Sequence, residues 1–182
     1  MALKSTIFKA LLNISDIDRG YYAEHALTLA RHPSETDERM MVRLIAFMLC
    51  ASDALAFGKG LSSDDEPDLW QKDLTGTIEH WIEVGQPDER RVRIACGRSP
   101  QVTVVCYGTA ADVWWNQNRD KLGCLAYLTV LRLPAVTQAL AKLAARTMIL
   151  HGTMQEGQLL LSVADETLTV EPIYWKKAAG KM

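Results

Sequence analysis

The chain has 182 residues, the length of one domain (1–182) and enough to bury a full core. It is 48% hydrophobic and 23% charged, with 11 Gly and 6 Pro, which excludes a disordered tail, a collagen-like repeat and a coiled coil. Lys+Arg total 20 against 22 Asp+Glu, a net charge of −2, so any contact with nucleic acid must come from a local patch rather than a basic surface. No run reaches the roughly 18 apolar residues of a membrane helix, and the N-terminus lacks the pattern of a secretory signal. No membrane association and a cytoplasmic location are expected. Cys50, Cys96, Cys106 and Cys124 have apolar neighbours and no CxxC spacing, and read as reduced core thiols. His25, His32, His80 and His151 are too scattered for a zinc cluster.

In chain order, a strand is expected over 3–14, then a turn at Asp16, Asp18, Arg19 and Gly20. A second strand over 26–31 would complete an antiparallel hairpin with a long loop. Ser34 is the expected N-cap of a helix over 35–55. Met40, Met41, Leu44, Ile45, Phe47, Met48 and Leu49 give it a wide apolar face. Residues 57–68 read as loop. Strands at 69–72 and 77–84 flank a turn at Leu74, Thr75 and Gly76. Pro87 opens a helix reaching about residue 96, with Asp88 and Glu89 at the positive end of its dipole. A strand (102–107), a helix (109–118), a strand (125–133) and a helix (135–145) follow. This alternation argues an α/β sheet. Strands at 148–154, 159–163 and 167–173 close the chain, so the expected fold is an α/β core with β additions at both ends.

Chemistry concentrates around Pro67, Asp68 and the strand ending Glu79-His80-Trp81-Ile82-Glu83-Val84. Alternation puts Glu79, Trp81 and Glu83 on one face and His80 on the other. Glu79 and Glu83 are roughly 13 Å apart along the strand and cannot share a metal. A hairpin closed at 74–76 pairs residues whose numbers sum to about 150, which sets Asp68 beside Glu83. Two carboxylates on adjacent strands, with a backbone carbonyl, suit a hard cation such as Mg²⁺ or Mn²⁺. Without a cation or a proton between them they repel. Glu38 on the long helix would add a third carboxylate. The plainer alternative is a solvated acidic loop beside a strand that shows its polar face to water.

Several stretches carry a resemblance: Leu-Thr-Leu-Ala-Arg-His-Pro-Ser-Glu-Thr, Glu-Arg-Met-Met, Asp-Asp-Glu-Pro-Asp-Leu-Trp, Trp-Ile-Glu-Val-Gly-Gln-Pro-Asp-Glu-Arg-Arg and Val-Trp-Trp-Asn-Gln-Asn. Over residues 1 to about 175 the chain resembles the bacterial YaeQ family. That resemblance implies a PD-(D/E)XK nuclease-like fold, a mixed sheet flanked by helices, whose core runs helix, three-stranded meander, helix and further strand. The expected meander is a strand near 61, then 69–72 and 77–84. Pro67-Asp68 then stands at the motif's Pro-Asp, and Glu83-Val84-Gly85 at its (Asp/Glu)-x-Lys. The motif Lys, which would steady negative charge beside the attacking water, is Gly85 here. Arg90, Arg93 and Arg39 are candidate substitutes, able to supply charge but not to exchange a proton.

Two functions stand open on these residues. One is a degenerate or rearranged site on a nuclease-like scaffold that binds nucleic acid or a protein partner. The other is a Mg-dependent nuclease hydrolysing phosphodiesters with Asp68 and Glu83 as metal ligands. No Walker loop, GxGxxG or GxSxG supports unrelated small-molecule chemistry. Trp114-Trp115 and the run Arg90, Arg91, Arg93, Arg98 read by default as core packing and solvated surface, with base stacking and phosphate binding as alternatives.

Overall fold

Strand β1 (Thr6–Asp16) buries Phe8, Ala10, Leu12 and Ile14 on one face, the period of two expected of a half-covered strand. It pairs antiparallel with β2 (Tyr21–Arg31) over its whole length, from Thr6↔Arg31 to Asp16↔Tyr21. The computed structural model describes residues 4–59 and 65–180. It replaces the expected long loop with a tight turn. Asp16 Oδ1 accepts the Arg19 N–H at 3.0 Å and Gly20 adopts φ +67°, so the chain reverses at once and Tyr21 is already in the ladder.

Helix α1 (Asp37–Leu49) starts later and ends earlier than the sequence predicts. Its N-cap is Thr36, whose Oγ1 accepts the Arg39 N–H at 3.1 Å. Ser34, the expected cap, instead holds His32 Nδ1 at 2.6 Å. The helix stops at Cys50 because residues 55–57 are needed elsewhere, as β3 (Leu55–Phe57). The strand expected near residue 61 lies outside the described residues. The meander runs β3, β4 (Leu69–Lys72) and β5 (Ile78–Val84), each pair antiparallel. Its second turn is held by Asp73, whose Oδ1 accepts from the Thr75 and Thr77 N–H groups.

The remaining elements are α2 (Glu89–Arg98), β6 (Val102–Cys106), α3 (Ala111–Leu122), β7 (Leu128–Arg132), α4 (Val136–Ala141), β8 (Thr147–Gln155), β9 (Gln158–Val163), β10 (Glu166–Val170) and β11 (Ile173–Lys176). They complete two mixed sheets. One has the order β11-β7-β6-β5-β4-β3, with β5, β6 and β7 parallel. The other has the order β10-β9-β8-β1-β2, with β1 and β8 parallel. The β additions expected at both ends are present: β1, β2, β8, β9 and β10 form a sheet of their own, while β11 joins the edge of the central sheet. The strand expected over 167–173 is really two strands in different sheets. The break falls at Glu171-Pro172, where proline has no N–H to continue a ladder.

Helix α1 is what joins the sheets. Residues 40–48 are all buried, as for a helix covered on every side. They share one core with the inner face of the five-stranded sheet and with Leu69, Ile82, Val84, Val105 and Leu131 of the six-stranded one. The opposite face of the six-stranded sheet packs Trp81, Val104 and Val130 against Val92 and Ala95 of α2 and Ala111, Trp114 and Leu122 of α3. Trp114 and Trp115 belong to this second core: Trp114 Nε1 donates to the Pro87 carbonyl, and the Trp115 ring stacks on Trp175. Three of the cysteines are buried or half-buried as expected, whereas Cys124 is exposed.

Candidate functional site

The register is Leu69↔Ile82 and Trp70↔Trp81, so Asp68 falls opposite Glu83, as the hairpin arithmetic requires. Both side chains are about 95% buried, and a buried carboxylate must be satisfied by donors or a countercharge. Each has its own set. Asp68 Oδ1 accepts from Arg39 Nη2 at 2.7 Å, and its Oδ2 from the Val84 N–H at 2.7 Å. Glu83 Oε1 accepts from both Trp81 Nε1 at 2.7 Å and Arg91 Nε at 2.8 Å. The Trp81 contact is an i,i+2 pair on one strand face, which places Glu83 on the α2 side of the sheet.

The ion pairs continue away from the sheet. Arg39 Nη1 donates to Glu35 Oε1 at 3.0 Å. Arg43 grips Glu35 with a fork, Nε to Oε1 and Nη2 to Oε2, both at 2.8 Å. A buried chain thus reads Arg43–Glu35–Arg39–Asp68. Beside it, Arg91 ties Glu83 to the Glu66 carbonyl and so fixes the segment that delivers Pro67 and Asp68. Arg98 donates to the Asp65 carbonyl in the same segment.

Charges respond accordingly. Burial raises the Glu83 pKa; the Arg91 hydrogen bond opposes this and the nearby Asp68 charge adds to it. Burial works to lower the Arg39 pKa, but the charges and hydrogen bonds of Asp68 and Glu35 outweigh it and the net shift is upward. The Asp68 charge thus bears on Glu83, and each acid has its own guanidinium.

Among the candidates for the missing Lys, Arg39 reaches Asp68. Arg93 does not approach the acids: it pairs with Glu89 at 2.7 Å and with the Lys121 carbonyl. Arg90 lines a shallow cavity of about 260 Å³ with Trp81, Asp88, Arg91 and Ile94. Glu38 turns to α4, where its Oε1 accepts the Thr137 hydroxyl at 2.7 Å. Sequence reasoning missed Glu35 and Arg91, the two groups that complete the charge pairing. Their signals were the i,i+4 spacing of Glu35 with Arg39 and the cap at Asp88, which takes the Arg91 N–H. Gly85 has φ +107°, a backbone that L side chains rarely adopt, so position 85 is shaped for glycine.

The donor set does not fit a divalent cation as it stands. Both Asp68 oxygens and the Glu83 Oε1 already accept protein hydrogens. Glu38 is bonded elsewhere, and among the described residues no three His, Cys, Asp or Glu side chains converge. What the site offers is a neutralised cluster of alternating acids and arginines at the C-terminal end of β5.

The chain is therefore a mixed α/β protein of two mixed sheets with a charge-paired site beside its parallel strands. The YaeQ protein family model matches residues 1–172. The uncharacterized protein YaeQ of Salmonella typhi is 44% identical over 179 residues, 97% of this chain and 99% of that protein. Its Escherichia coli K12 counterpart is 44% identical over 181 residues with the same coverage. The crystal structure of the YaeQ protein from Xanthomonas axonopodis pv. citri superposes with a TM-score of 0.92 at 48% identity, covering 95% of this chain and 99% of that one. The YaeQ protein from Pseudomonas syringae gives 0.92 at 37% identity, covering 97% and 98%. The chain belongs to the YaeQ family. Among the described residues no helix is long and apolar enough to cross a membrane.

Proposed function

We propose that this chain is a binding protein on a PD-(D/E)XK nuclease-like scaffold, with nucleic acid as its partner and catalysis lost or rearranged. The order α1, β3-β4-β5, α2, β6 supports the scaffold. One observation carries the reading of the site: each motif carboxylate is already neutralised by a guanidinium, Asp68 by Arg39 and Glu83 by Arg91. A catalytic site of this kind needs those oxygens for a cation and a charged group beside the attacking water. The acid–arginine pairs instead give a rigid, neutral floor. Arg90 stands at the mouth of the adjoining cavity as a contact for a phosphate.

A second reading, a nuclease using Mg²⁺ or Mn²⁺, is favoured by the mutual proximity of Asp68 and Glu83. It requires Arg39 and Arg91 to leave the acids. A single experiment separates the readings. Labelled single- and double-stranded DNA and RNA are titrated with wild type and Arg90→Ala in EDTA, then incubated with Mg²⁺ or Mn²⁺ and wild type or Glu83→Ala. Salt-dependent binding weakened by Arg90→Ala, without cleavage, supports the binding reading. Cleavage lost in Glu83→Ala establishes the nuclease. Neither binding nor cleavage overturns both and leaves a protein partner as the remaining occupant.

A further inference from the structure

A second opening lies at the other end of the parallel strands, under the C-terminal end of α1, and takes no part in the charge-paired site. It encloses about 330 Å³, within the size range of small-molecule sites. Its floor is a row across three strands: His80 of β5, Thr103 of β6 and Thr129 of β7. Its walls are Leu49 of α1, the C-cap Cys50, Leu131 and Tyr174. Arg19, from the turn between β1 and β2, reaches over from the other sheet.

The polar groups here are positioned but only half used. His80 is 93% buried, and Nε2 bonds Thr103 Oγ1 at 2.8 Å. Its Nδ1 makes no hydrogen bond among the described residues, so it is open to a group entering the cavity. Burial, helped by the Arg19 charge, pulls the His80 pKa down to about 4, so the ring is neutral and Nδ1 can take either a donor or an acceptor role. Thr129 Oγ1 accepts the Ala178 N–H at 3.1 Å, leaving its hydroxyl proton to give. Burial pushes the Cys50 thiol up to about 12, so it is an apolar wall and no nucleophile.

Arg19 sets the charge. Its Nε donates to Asp16 and its Nη1 to the Ala51 carbonyl at 3.0 Å. Nη2 has no partner among the described residues, so the outer edge of the guanidinium is available in the geometry that a carboxylate matches end-on. A cation would be repelled by Arg19. A second negative charge would be opposed by Asp16, which already holds Arg19 Nε, and by the negative end of the α1 dipole. One half-used guanidinium suits one negative charge.

We propose that this cavity binds a small organic monocarboxylate. The carboxylate rests on the outer edge of Arg19. The uncharged body lies against Leu131 and Tyr174, with its polar edge at His80 Nδ1 and the Thr129 hydroxyl. Nothing in this site depends on whether the chain binds nucleic acid.

The test uses benzoate, phenylacetate and hexanoate, each beside its neutral amide, added at millimolar concentration to the full chain. The readout is the His80 ring resonances in NMR. A saturable shift of His80 by at least one carboxylate, with the matching amide weaker by about tenfold or more, is the expected result. Arg19→Gln should erase that difference between acid and amide. Because Arg19 also neutralises buried Asp16, Ser52→Trp is the second variant. It narrows the rim of the cavity, leaves Arg19 and Asp16 paired, and should abolish the shift in a protein whose spectrum is otherwise intact. If no carboxylate moves His80, if acid and amide bind alike, or if Ser52→Trp binds as wild type does, the proposal is wrong.

Discussion

Arg39 and Asp68 meet across 29 positions of sequence, Nη2 to Oδ1 at 2.7 Å, and join the first turn of α1 to the entrance of β4. The Arg39 side chain is 15% exposed and that of Asp68 5%. The contact therefore couples the helix to the sheet at a point where water cannot replace either partner.

Asp68→Ala should accordingly destabilise the fold by about 3 kcal/mol, since removing one partner of a buried pair leaves the other uncompensated. It also strips the Val84 N–H of its acceptor. Urea unfolding measures the loss. The double variant Asp68→Leu/Arg39→Met should recover part of it, and additive losses would show that the pair does not act as a unit.

His80 predicts a pH dependence. The folded-state pKa is lowered from 6.5 to about 4, chiefly by burial, while the unfolded chain binds the proton near 6.5. The stabilising contribution of the neutral ring is complete above pH 6.5 and disappears as pH falls through the folded value. Between those limits wild type should lose about 3 kcal/mol through this group. In His80→Gln, whose amide can still meet Thr103, the decline over the same window should be shallower by that amount. Parallel profiles for the two proteins would refute it.

A lysine at position 85 should destabilise the fold. At Gly85 an added Cβ meets no atom within 4 Å, but φ is +107°. The penalty for Gly85→Lys is then conformational, about 1–3 kcal/mol. Gly85→Ala should suffer nearly the same loss of stability, because the side chain beyond Cβ is not what strains the chain. Thermal unfolding of the two variants compares them directly.

The cap of α1 gives a simple contrast. Thr36→Ala removes the oxygen that takes the Arg39 N–H and should cost about 1 kcal/mol. Ser34→Ala loses only an exposed contact with His32 and should stay within about 0.5 kcal/mol of wild type. Equal effects would mean that the cap is misassigned.

The parts of the fold legible in the sequence are those fixed by local chemistry. The turn around Asp73 and Gly76 closes the β4–β5 hairpin, and a one-residue register shift between Gln71 and Lys72 then brings Asp68 opposite Glu83. The family resemblance is legible for the same reason, since its motifs are continuous stretches. What escaped depends on phase and on distant partners. A helix starting at 37 instead of 35 leaves Glu35 ahead of the cap, where it can turn back on Arg39 and Arg43, and sends Glu38 to Thr137. A cap at Asp88 likewise selects Arg91, not Arg90 or Arg93, for Glu83. The separation into two sheets has no local signal: β1 finds β8 only in the folded chain, and Pro172 decides which strand joins which sheet only once both sheets exist.

That late partnership governs how the molecule is made. Strand β1 emerges from the ribosome early, yet its parallel neighbour β8 follows at the far end of the chain; the Arg146 guanidinium that donates to the Ile7 carbonyl is 139 positions away. Until β8 arrives, the β1–β2 hairpin has an open edge, and α1 lacks part of the cover for Met48, which sits against Gly152 of β8. Closing so distant a pair is slow, and an open strand edge is a template for another chain. The nascent protein is thus most prone to aggregate in the interval between synthesis of α1 and synthesis of β8, a window that chaperone binding would have to cover.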